Sequence, residues 1–453
     1  METDIRGLAL TGLDVDGVSK YDAMIQALFD YRPNIASYLQ PLIDSYPESV
    51  MPGVILGYSM ASEGRFSTLP KVAIIAADLC ERYDTVTKRE QMHIDAVSSL
   101  AKGNLKQAIE IWDSLLALWP LDLVAFRQMS LNLFWLGQRR RLVDLCARLM
   151  PAWGKDTPQY GFFIGPLGFA LEEIGQYARA EEYAREAVEL NPSDMWAVHA
   201  VAHVLEMQGR NREGITWLQP KSKQFHQHNA FVGHLWWHLA LFHLESGDID
   251  QVLSLFDDEI YPQHSDFYLD IQNAASLLTR LNFLGVNTET RWAQMADAVI
   301  KAHGDYLYGF TELHSAIVLA RNGEFGLLGQ LNDDLEQRLS PSASDPWLTA
   351  QLTRAITEFH SGQSSNAAKR MAPLRYDKLA LGGSHAQQDL LLQYQIMAYR
   401  QASDLAGMKS ALKERLAKRM PLDDMTEFRS RLSEIDKLTL NSDIRQYLQK
   451  VSA

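Results

Sequence analysis

Cysteine is nearly absent: the 453 residues include only Cys80 and Cys146. Two thiols so far apart exclude a disulfide framework and a zinc-ribbon spacing, and they suit a reducing compartment. No stretch approaches 18 consecutive apolar residues, so no membrane span is read. The first residues lack a basic region followed by an apolar one, so no secretory leader is read either, and the expected location is cytoplasmic. Basic charge is in deficit, with Lys+Arg 43 against Asp+Glu 56 and a net charge of -13. A nucleic-acid partner would require a basic stripe, and an anionic membrane surface would be repelled, so neither is expected. The acidity keeps a long surface soluble. Alternating β-branched runs bounded by turn residues are also missing, which leaves an all-α class.

The sequence does contain a recurring glycine. Gly64, Gly103, Gly137, Gly175, Gly209, Gly247, Gly285, Gly323 and Gly362 follow one another at steps of 34 to 39 residues. Around Gly175 the chain resembles a tetratricopeptide repeat. Gly168 and Ala180 take the close-packing positions, Tyr177 the aromatic one, and Pro192 ends the second helix. That repeat is 34 residues long, and the extra residues here fit longer connections. The expected fold is an all-α, right-handed superhelical solenoid of tetratricopeptide-type helical hairpins, each burying its apolar face against its neighbours. One continuous domain is expected. Residues 1–46 would be N-terminal capping helices, 47–375 about nine degenerate repeats, and 376–453 C-terminal capping helices. Ser384-His385-Ala386-Gln387 fits a capping box at the start of one of them.

Several blocks lie outside generic repeat positions. They are Arg89-Glu90-Gln91-Met92-His93 with Ala96, Trp196 to His203, His234-x-x-Trp237-His238, and Leu381-Gly382-Gly383-Ser384-x-Ala386-Gln387-x-Asp389. With these blocks most of the chain resembles the tetratricopeptide repeat protein 38 family. An Arg expected just before Asp389 is Gln388 here. The resemblance implies a helical-repeat fold and supplies no mechanism.

The stretch from Trp196 to Glu206 reads as a helix without Gly or Pro, begun by Asn191-Pro192-Ser193-Asp194 and stopped by Gly209. At about 100° per residue, His199, His203 and Glu206 lie within roughly 60° on one face. In tetratricopeptide proteins, positions 2, 5, 9 and 12 of each first helix line a concave groove. Counting back from the turn glycines, the resemblance places Trp196, His199, His203 and Glu206 there. It also places His234 and Trp237 with His238 beside them, Phe162, Gly165, Phe169 and Glu172, Arg127, and Glu90 with His93.

Three readings of this constellation stay open. It is a hydrogen-bonded polar seam between helices. Or it is a groove binding a small molecule or short peptide through His93, Arg127, Phe162, Trp196, His234, Trp237 and His238, with Arg127 meeting an acidic group and the tryptophans stacking. Or it is an enzyme site, with His199, His203 and Glu206 as acid/base groups or metal ligands and His234 or His238 completing the set. Binding is the leading expectation and requires no cofactor. Gly165 is read as room for a close approach to the backbone, or else as half of a Gly165-Pro166 kink. Gly382-Gly383-Ser384 reads as a loop and N-cap before it reads as an anion site. His226 and His228 are expected in a solvated loop. Leu390-Leu391-Leu392 leaves self-association open.

Overall fold

A computed structural model describes residues 1–263, 265–337, 345–419 and 425–449. The expected C-terminal cap therefore includes positions, 420–424 and 450–453, that lie outside the described residues. Among the described residues the protein is all-α apart from one two-stranded antiparallel ribbon, Glu2–Thr3 with Ala9–Leu10. Two-residue strands carry too little alternation to register in a sequence pattern.

All nine recurring glycines sit between the two helices of a hairpin, from Met51–Ala61/Leu69–Cys80 to Pro346–His360/Ser364–Met371. Each has a positive φ, between 64° and 84°. At Gly175 an added Cβ would meet nothing within 4 Å, so the requirement there is the left-handed conformation and not space. Gly168 is the converse. A Cβ there would stand 3.0 Å from Ala180 O and Ala184 N, so the glycine lets helix Gly161–Glu172 close onto Tyr177–Leu190.

The chain divides into two compact units. The first comprises residues 1–201 and 224–232; the second comprises 202–223, 233–337 and the described residues from 345 onward.

In the first unit, the N-terminal segment runs along first-helix positions of several hairpins. Thr11 N and Oγ1 donate to Glu90 at 2.9 and 2.6 Å, and Arg89 donates to Ala9 O at 2.9 Å. Phe29 packs on Phe162 with centroids 4.9 Å apart, and Asn191 donates to Asp30 at 2.8 Å. Positions expected to line an open groove are therefore covered: Glu90, His93 and Phe162 are all buried.

In the second unit, helix His385–Gln401 packs against Tyr268–Phe283. Arg280 donates to Ala386 O at 2.9 Å, and Gln387 to Gln272 at 3.3 Å. The Ser384 capping box forms as the sequence predicts. Its bonds occupy Ser384 N and Gln387 N, which counts against the anion reading of that loop. Gln388, standing where Arg was expected, donates to Gly382 O at 2.8 Å and holds the diglycine turn. Leu390, Leu391 and Leu392 are each 1% exposed, so this run is core and offers no surface for self-association.

Candidate functional site

The sequence-singled residues fall into three separate settings. The first is a slot in the first unit, about 370 Å³ counted to its solvent mouth. Arg127 and Phe126, from helix Leu123–Trp135, form one wall, and Phe162 and Pro166, from Gly161–Glu172, form another. Trp196 and Asp194 close it at the start of helix Met195–Met207, and Phe29 and Tyr31 come from the end of the first N-terminal helix.

The Arg127 guanidinium lies over two rings, 5.3 Å from the centroid of Phe29 and 4.8 Å from that of Tyr31. Such stacking favours Arg over Lys. Its side-chain hydrogen bond goes to Tyr31 Oη at 3.3 Å, and no ion pair engages it among the described residues. Asp194 caps its helix, accepting from Ala197 N at 3.0 Å. Burial pushes its carboxyl up to about 7, with Asp30 adding to the rise while Arg127 and backbone N–H groups oppose it. Trp196 Nε1 is buried and has no hydrogen-bond partner among the described residues. Tyr31 stacks on Phe231 at 4.6 Å, and Asn229 N donates to Tyr31 O at 2.6 Å, so residues 224–232 brace the slot. In that segment His228 is buried and its Nδ1 meets Asp30 O at 2.8 Å; it is not the solvated loop residue expected. Gly165 gives room to Ala197 and Asp194, each 3.4 Å from a built Cβ.

His93 belongs to none of this. It is fully buried in a linked chain, where Trp112 Nε1 donates to Tyr58 Oη at 3.0 Å and Tyr58 Oη meets His93 Nδ1 at 2.9 Å. His93 Nε2 meets Asp122 Oδ2 at 3.1 Å, and Arg89 donates to the same oxygen at 2.7 Å. An ionised carboxylate only accepts, so Nε2 carries the His93 proton and Nδ1 accepts from the tyrosine. Every polar group here is used internally. His93 is framework, not slot lining.

The third setting lies in the second unit. His203 and Glu206, from helix Met195–Met207, meet His234 and His238, from Val232–Glu245. The His203 and His238 rings are 4.5 Å apart, His234 and His238 4.8 Å, and His203 and His234 6.5 Å. Nitrogens of these three imidazoles lie within 4.8 Å of one another. His238 Nδ1 donates to Glu206 Oε2 at 2.8 Å, and His234 Nδ1 meets Asn273 Oδ1 at 2.8 Å. Trp237 lies nearly parallel to the His234 ring, 5.0 Å away, with the Arg280 guanidinium 5.6 Å from the Trp237 centroid.

Burial, reinforced by neighbouring imidazoles, holds His203 well below the ordinary histidine value and brings His234 down to about 3. Burial pushes Glu206 the other way, but the hydrogen bond from His238, with Arg419, leaves it below the usual carboxylate range. A base as weak as these imidazoles is poorly matched to proton abstraction at neutral pH, which counts against the acid/base version of the enzyme reading. His199, one turn before His203 on the same helix, lies in the first unit among aromatics. Phe169 is 5.5 Å away, Trp196 5.3 Å and Phe231 5.3 Å.

Sequence reasoning missed Phe29, Tyr31 and Asp194 in the slot and Asn273 behind His234. It also missed a buried ion cluster in the second unit, where Asp389 pairs with Arg415 at 2.9 Å and with Arg419 at 2.8 Å. Those arginines hold the Asp389 carboxyl well below its ordinary value against the opposing effect of burial. Only Asp194 left a signal in the sequence, as an N-cap. No protein-family model matches the sequence.

Proposed function

We propose that the slot around Arg127 binds a small molecule, or the end of a short peptide, through a carboxylate or similar planar anion. The observation that carries this reading is the arginine itself: a guanidinium stacked on two aromatic rings, facing a cavity, with no ion pair among the described residues. Its remaining N–H donors match the two oxygens of a carboxylate, a charge-assisted pairing stronger than a neutral one. Trp196 Nε1 adds a second buried donor. Phe29, Phe162 and Trp196 supply the apolar walls that such sites use for the rest of the ligand. The slot proper is narrow, so most of a ligand would project from its mouth.

Asp194 sets the pH dependence. As pH rises through about 7 its carboxyl ionises and competes with an incoming anion for Arg127. Affinity therefore falls on the alkaline side. Asp30, Tyr31 and Arg127 are the other titratable or charged groups bearing on it.

The deciding experiment is a calorimetric screen of aromatic and aliphatic carboxylates, run at pH 6 and pH 8. Binding should weaken at the higher pH and fall at least about tenfold in Arg127→Gln, since a charged hydrogen bond contributes about 1.5–3 kcal/mol. Arg127→Lys should recover only part of it. Absence of binding at millimolar carboxylate, or full binding by Arg127→Gln, would overturn the proposal. We further propose that the protein acts as a cytoplasmic binding module of the tetratricopeptide repeat protein 38 kind, on the strength of the sequence blocks given above. No nucleic-acid partner is proposed, given the acidic balance of the chain.

A further inference from the structure

We infer that His203, His234 and His238 form a binding site for one divalent transition-metal ion of the zinc class. This does not rest on the Arg127 slot. Three imidazoles from two helices converge so that one nitrogen of each lies within 4.8 Å of the others. Ligand nitrogens around a tetrahedral zinc stand about 3.3 Å apart for Zn–N bonds of about 2.0 Å, so the widest pair needs to close by roughly 1.5 Å.

The hydrogen-bond pattern sets the tautomer of two of the three rings. His238 gives its Nδ1 proton to the acceptor-only Glu206 carboxylate at 2.8 Å, which makes Nε2 its lone-pair nitrogen. His234 Nδ1 is held the same way by Asn273 Oδ1 at 2.8 Å, which puts the proton on Nδ1 and the lone pair on Nε2. A carboxylate or carbonyl behind a ligating imidazole is the usual outer partner of a metal-bound histidine, because it selects the tautomer and aims the ring. Glu206 therefore holds His238 in place and is not itself a ligand, a different role from the one its position beside His203 on the helix suggested. An all-imidazole set suits zinc, copper, nickel or cobalt and disfavours magnesium and calcium, which require oxygen ligands. His203 and His238 are fully buried and His234 nearly so.

The test is a cobalt titration of the full-length protein, purified without a histidine tag and stripped with a chelator. One equivalent of Co²⁺ should give the visible bands of a four- or five-coordinate ion with nitrogen ligands. Zn²⁺ should abolish them mole for mole. His238→Ala should remove the bands, with His234→Asn as a second variant in case the first does not fold; circular dichroism establishes which variants are folded. Glu206→Gln should keep one-to-one binding at about 10–100-fold lower affinity, a loss that mere helix packing would not produce. Folded wild-type protein that takes up no cobalt or zinc at 100-fold excess overturns the assignment. So does unchanged binding in a folded His238→Ala or His234→Asn variant. None of these readouts involves Arg127, so failure here leaves the carboxylate proposal standing, and the reverse holds too.

Discussion

Asp122→Asn is the sharpest probe of the first unit. Asp122 accepts from Arg89 at 2.7 Å, from His93 at 3.1 Å and from Ala125 N at 2.9 Å, with both side chains of the ion pair almost fully buried. Asparagine has the same shape and is an equally good N-cap, so the bond to Ala125 survives. What is lost is the negative charge facing Arg89, and an amide nitrogen now meets donors on Arg89 and His93. Leaving one member of a buried pair unmatched costs about 3–5 kcal/mol, against a total stability of about 5–15 kcal/mol for a domain. Urea unfolding, followed by far-ultraviolet dichroism and by tryptophan fluorescence, measures the loss. The two probes are read separately because a chain of two units need not unfold in one step. Trp112 reports directly, being joined to the same chain through Tyr58.

Two controls fix the interpretation. Arg89→Met combined with Asp122→Asn should cost much less than the sum of the single variants, because no buried charge is then stranded. The sign of the pH dependence follows from Asp122, whose carboxyl is held far below its ordinary value by His93 and Arg89 despite the opposing effect of burial. Its stabilisation is complete above the unfolded value near 4 and fades only as pH falls through the folded value. The penalty of Asp122→Asn should therefore be constant from pH 8 to pH 5. A loss under about 1 kcal/mol, the size typical of an exposed ion pair, would refute the buried-network account.

Two further outcomes follow from packing and burial in the second unit. Gly214→Ala should destabilise by about 1–3 kcal/mol in a thermal or urea melt, because the new Cβ would stand 2.3–2.5 Å from the buried Phe242 ring. Gly326→Ala, where an added Cβ meets nothing within 4 Å, is the matched control. His314 is buried, its Nδ1 donates to Phe310 O at 2.7 Å, and burial lowers it to about 4. The unfolded chain then binds the extra proton between pH 6.5 and 4, so this stabilisation is present above 6.5 and lost on acidification, by about 2 kcal/mol at pH 5. His314→Gln should flatten the pH 7-to-5 stability profile by that amount.

The hairpins were legible because their signal is local. A glycine that must take positive φ between two helices marks each turn whatever packs around it, and nine such marks at nearly constant spacing define the repeat. The caps at Asp194 and Ser384 were legible for the same reason, since each acts within three residues of itself. The histidine stripe was legible as a stripe, but its chemistry was not. His93 and His203 occupy comparable first-helix positions, yet one meets a carboxylate and a tyrosine and the other faces two more imidazoles. What distinguishes them is the identity of side chains arriving from far along the chain. Tyr58 comes to His93, Phe29 and Tyr31 to Arg127, and Asn273 to His234. A repeat pattern carries the backbone's periodicity because each turn needs only its own residues. Hydrogen-bond partners, burial and proton positions depend on which distant groups fill the space between helices, and only the tertiary structure decides that.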